Sequence, residues 1–112
     1  MHRLAIVAVA LVTFTPGCGG PLREGEDAFR KGWYPQAKQS LVGLEAESRS
    51  WDDATRAEYA LYRGLTLAAL GDRGAAAGWL REAKSVEDAH PGALLPSDVQ
   101  RLAASSTMNL LP

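Results

Sequence analysis

A single cysteine, Cys18, stands in 112 residues, which excludes an intrachain disulfide and a zinc site built on cysteines. Histidine is almost as scarce. His2 and His90 lie far apart in the chain and argue against an all-histidine metal site. Charge of one sign is missing too: 12 Lys+Arg face 13 Asp+Glu for a net charge of −1, which argues against a nucleic-acid partner held by a basic surface. Alternation is absent from Arg23 onward, where Val, Ile, Thr and aromatics never alternate over five residues as a half-buried strand requires. What is present is apolar and helix-forming. Hydrophobic residues make up 46%, too many for a disordered chain, and alanine is the commonest residue. The length allows one small domain.

Leu4 to Phe14 reads LAIVAVALVTF, eleven residues without charge, preceded by Arg3. As a helix it would span about 16 Å against a bilayer core of ~30 Å. It is too short to cross a membrane and has the size of a signal-peptide hydrophobic region; the alternative is a buried helix. Thr15-Pro16-Gly17-Cys18-Gly19-Gly20 follows and breaks the helix. A lone Cys preceded by Gly directly after such a region resembles the lipobox of bacterial lipoproteins, although Thr15 and Pro16 replace the family's usual aliphatic and small residues. The resemblance implies a signal peptide over 1–17, Cys18 as the acylated first mature residue, and a linker completing 18–21. Stable anchoring takes two acyl chains. Gly19 in place of a retention Asp implies the outer membrane, facing the periplasm. The alternatives are ordinary cleavage near Gly17 or Gly20, which releases a soluble periplasmic or secreted protein, and a free structural Cys18.

The rest reads as helices. A first runs from Leu22 to Lys31 and stops at Gly32. A second opens near Pro35 and places Ala37, Leu41, Leu44 and Ser48 on one face. Ser50-Trp51-Asp52-Asp53 caps a third, which ends at Leu70 and is apolar nearly all round. Gly71-Asp72 turns into a fourth with the stripe Ala76, Trp79, Leu80, Ala83 and Val86, stopped by His90-Pro91-Gly92. Ser97-Asp98-Val99-Gln100 has the form of a capping box and opens a fifth helix with Val99, Leu102 and Ala103 inward.

Sliding the chain by 39 residues sets Gly25 on Gly64, Ala28 on Leu67, Gly32 on Gly71, Ala37 on Ala76, Leu41 on Leu80 and Leu44 on Ala83. Self-similarity at this period marks a repeat architecture. In each copy the first glycine lets two helices cross closely, the second ends the leading helix, and Ala and Leu fill the crossing. This pattern resembles the tetratricopeptide repeat, with Gly-Asp at the turn of the second copy and Trp33-Tyr34 at that of the first. Pro21 and Ala60 stand at the family's Trp position and Glu24 and Arg63 at its Leu position, and the period is 39 rather than 34. The expected fold is an all-α helix–turn–helix solenoid, with two tetratricopeptide-like repeats over 22–91 and a capping helix and tail over 92–112. The alternative is an Ala-rich helical bundle. About three repeats are normally needed for stability, so packing on a partner or on a second copy is expected to stabilise so short an array.

His90 sits in a Pro-Gly turn without a nucleophile or pocket, and the pairs Glu45/Glu47 and Asp52/Asp53 read as helix-end charges, so no enzyme and no cofactor beyond a lipid on Cys18 is expected. In the resembled family peptides lie along the leading helices. Carried over, the groove is Leu22, Glu26, Phe29, Arg30, Leu61, Leu65, Ala68 and Ala69. Its apolar character points to an apolar segment or a helix as ligand. The alternative is that Phe29, Leu61 and Leu65 pack between helices. Trp79 reads as core and Trp51 as an exposed anchor. The expected function is that of a lipid-anchored adaptor for another envelope protein, in envelope or pilus assembly. A self-assembling envelope protein is the alternative.

Overall fold

A computed structural model describes residues 20–107; the expected signal segment 1–17, Cys18 and the tail 108–112 lie outside the described residues. Six helices and no strand occur among the described residues: α1 (Gly20–Arg30), α2 (Tyr34–Val42), α3 (Glu45–Ser48), α4 (Asp53–Ala69), α5 (Arg73–Ala89) and α6 (Pro96–Thr107). The protein is all-α.

The helix ends follow from local chemistry. Gly32 and Gly71 take φ of +81° and +91°, a region that penalises any Cβ, and each reverses the chain after a leading helix. Pro35 lies in the first turn of α2, where no N–H is required. Asp52 and Asp72 cap α4 and α5, accepting from Thr55 N (2.9 Å) and Ala75 N (3.3 Å).

Helix α1 folds back on α2, α5 folds back on α4, and α4 also packs against α1 and α2. Both hairpins close on the same contact. A Cβ on Gly25 would lie 2.6 Å from Leu41 Cδ2, and one on Gly64 would lie 2.6 Å from Leu80 Cγ. Ala37, Leu41, Ala76 and Leu80 are completely buried. Leu44, Tyr59, Leu61, Tyr62, Ala83 and Leu102 extend this core.

Two expectations need correction. The second helix does not run through to Ser48. Tyr59 Oη donates to the Leu41 carbonyl (2.6 Å), which also accepts from Leu44 N (3.0 Å), so the chain breaks into α2 and α3. Ala37, Leu41, Leu44 and Ser48 are nevertheless all buried. The last helix starts at Pro96, not after Ser97: Leu95 O accepts from Asp98 N and Val99 N (both 2.9 Å), so the capping box is not formed. It turns Asp98, Leu102 and Ser105 inward and leaves Val99 and Ala103 exposed, because Tyr62 Oη donates to Asp98 Oδ1 at 2.9 Å and fixes the rotation. No helix among the described residues is long and apolar enough to cross a membrane.

Candidate functional site

A groove of about 340 Å³ opens where α1, α4 and α6 lie side by side. Phe29 supplies one wall, Leu65, Ala68 and Ala69 the floor, and Ala104 and Ser105 the opposite wall; Tyr34, Arg73 and Arg101 rim it. Phe29 is held by two aromatic contacts. It meets Tyr62 edge-on at 5.7 Å and Tyr34 at 5.5 Å.

Beneath the groove, polar groups join the same three helices. Arg30 donates to Tyr62 Oη (3.2 Å) and to Asp27 (2.9 Å), and Tyr62 donates onward to Asp98. Arg101 pairs with Asp98 at 3.6 Å. Burial first, then the hydrogen bond to Asp98, pushes the Tyr62 phenol up to about 12, so it remains a donor across the neutral range. Glu26 is 3% exposed and its Oε2 has no hydrogen-bond partner. Burial, the neighbouring Glu58 carboxyl and Asp98 push its pKa up to about 9 against the pull of Arg30. At neutral pH it is protonated, and its 3.5 Å approach to Arg30 is a contact of one charge rather than two.

The eight groove positions named from sequence divide. Phe29, Leu65, Ala68 and Ala69 line the cavity. Arg30 is exposed and lies next to it in the Tyr62 relay. Leu22, Glu26 and Leu61 are buried, Leu61 at 0%, and are closed to any ligand; the surrounding helices cover them. Tyr34, Arg73, Arg101, Ala104 and Ser105 were not anticipated. Tyr34 and Arg73 stand at the starts of α2 and α5 and the others on α6, and no local pattern marks them.

The remaining candidates serve the fold. Arg63 is 8% exposed; it donates to Glu45 (3.2 Å) and to Tyr59 Oη (2.8 Å) and stacks 4.4 Å over Trp79. Glu87 accepts from Gly92 N and Leu94 N and shapes the turn, and these bonds lower its pKa. His90 reaches Asp53 at 3.1 Å on the surface. Trp51 is half-buried, edge-on to Tyr59 at 5.6 Å, so it is not the exposed anchor; the most open tryptophan is Trp33, at 52%. No cluster of three or more His, Cys, Asp or Glu able to hold a metal occurs among the described residues. No protein-family model, curated protein or solved structure matches this chain.

Proposed function

We propose that this chain is a lipid-anchored periplasmic adaptor that binds an apolar segment or helix of another envelope protein in the groove between α1, α4 and α6. The groove carries the reading: apolar side chains from three helices converge on one open cavity, where an isolated helical domain would bury them. The repeat reading is supported by the matched Gly25–Leu41 and Gly64–Leu80 contacts and the paired positive-φ glycines. The anchor rests on Cys18 and the apolar segment before it. On this reading the acyl chains attach on the outer membrane, and the lipid is the one non-protein group.

Two measurements test it. The intact mass of the membrane-extracted protein should exceed that of a Cys18→Ala variant by the acyl groups; equal masses after correction for the substitution remove the anchor. A photocrosslinker at Ala69 should trap a partner in cells, and Ala68→Arg should abolish the adduct. Equal yield from a crosslinker at Lys84, on the surface of α5, would discard the groove.

A further inference from the structure

The groove between α1, α4 and α6 is apolar at its floor and positive at its rim. Leu65, Ala68 and Ala69 form the floor, and the polar side chains that border it are Tyr34, Arg73, Arg101 and Ser105. All four can donate a hydrogen bond, two carry a full positive charge, and no Asp or Glu lines the cavity. The Ser105 hydroxyl is already committed to the Leu102 carbonyl at 2.6 Å. Arg101 is held only in part. Its Nε is buried, lies 3.6 Å from Asp98 Oδ1 and has no hydrogen bond, while its side chain stays 38% exposed. The carboxylate of Asp98 itself is withdrawn behind the wall, where it accepts from Tyr62.

We infer that the segment this groove receives is an acidic amphipathic helix, whose apolar side chains enter the cavity and whose flanking carboxylates meet Arg73 and Arg101. The inference rests on the groove being the docking face, as proposed above, and adds the chemistry of the partner. A basic segment would set like charges against both arginines with no carboxylate in the lining to answer it. A neutral one would cover the guanidiniums without a counter-charge, at a cost in desolvation. An anionic lipid has the right charge but the wrong length. The floor from Leu65 to Ala69 covers about 6 Å of helix, whereas an acyl chain fills about half of a ~30 Å bilayer core.

The probe is a labelled alanine-based helical peptide with two leucines four residues apart and a glutamate one turn to either side of them, titrated into the full chain. Saturable binding is expected. Exchanging both glutamates for glutamine should weaken it about fivefold at low salt, and the gap should close as salt rises. Arg101→Gln should narrow that gap. Arg73→Glu, a change that the first turn of α5 accepts, should turn the preference towards a lysine version of the peptide. Circular dichroism of the variants checks that the fold is kept. No saturation, equal affinity for the glutamate and glutamine peptides, or a preference that neither arginine variant moves overturns the inference. So does displacement of the peptide by phosphatidylglycerol vesicles and not by phosphatidylcholine vesicles, because a lipid would then hold the groove. Any of these with the Ala69 crosslink intact removes this inference alone, whereas equal crosslinking from Lys84 removes the groove and both readings together.

Discussion

The second hairpin meets its glycine with backbone, the first with side chain alone. A Cβ on Gly64 would face Leu80 Cγ at 2.6 Å and the Ala76 carbonyl at 3.1 Å; one on Gly25 would face Leu41 at 2.6 Å and then nothing closer than Ser40 Cβ at 3.6 Å. A leucine can change rotamer, but a helix carbonyl cannot move without its helix. The helices differ in the same sense: α4 and α5 have 17 residues each, α1 and α2 have 11 and 9. The same motif is thus rigid at the centre of the molecule and adjustable at its amino-terminal end.

The sharpest way to break this comparison is to fill both crossings. Gly64→Ala should destabilise by about 3 kcal/mol and Gly25→Ala by about 1 kcal/mol, each after the ~1 kcal/mol that alanine gains in helix propensity. Denaturant melts of the two variants decide it, and equal losses would erase the distinction.

Next in size is a buried carboxyl that the first hairpin has and the second lacks. Glu26 stands 39 residues before Leu65, in the same register of its helix. In the folded protein its pKa is about 9 against an ordinary 4.5, so the native state keeps a proton that the unfolded chain has lost. This contribution to stability is complete below about pH 4.5 and declines as pH rises toward 9. Glu26→Gln should therefore be the more stable protein by on the order of 2 kcal/mol at pH 8 and no better than wild type at pH 4. Thermal melts at the two pH values read the difference; a gain of equal size at both would refute the assignment.

Tyr62→Phe leaves Asp98 buried without its donor and should cost about 1–2 kcal/mol. The loss should concentrate in α6, seen as faster amide exchange there than in α1, α2 or α5. The smallest effects test where the hairpins agree: Gly32→Ala and Gly71→Ala should each cost about 1 kcal/mol, because both backbones sit at positive φ in open space. A large inequality would mean that the turns, and not only the crossings, differ.

The hairpins were legible because their determinants are single residues of forced chemistry. Gly25, Gly64, Ala37, Leu41, Ala76 and Leu80 recur at one spacing, and Gly32 and Gly71 end helices where little else can. The rest was hidden because polar groups are buried as pairs, which apolar periodicity does not register. Arg63 is buried through its contacts with Glu45, Tyr59 and Trp79. The Tyr59 hydroxyl captures a carbonyl 18 residues away and divides a helix whose periodicity is continuous. Asp98 and Ser105 belong to the buried face of α6 although their side chains are polar, which misdirected the reading of Val99 and Ala103. Half of the anticipated groove lines the cavity for a related reason: the register of α1 and α4 was visible, but the wall from α6 depends on Tyr62 reaching Asp98 across 36 residues.

The hydroxyl-to-carboxylate clasp between Tyr62 and Asp98 has a thermodynamic corollary. Helix α6 makes its main contacts with α4 and α5, fewer than those that join the two hairpin partners α4 and α5, so it can detach as a local unit while both hairpins persist. Detachment removes one wall of the cavity, which makes occupancy of the cavity and docking of α6 two sides of one equilibrium: a ligand bound there would protect the 90–95 linker from proteolysis, and a change that frees α6 would weaken the ligand's hold.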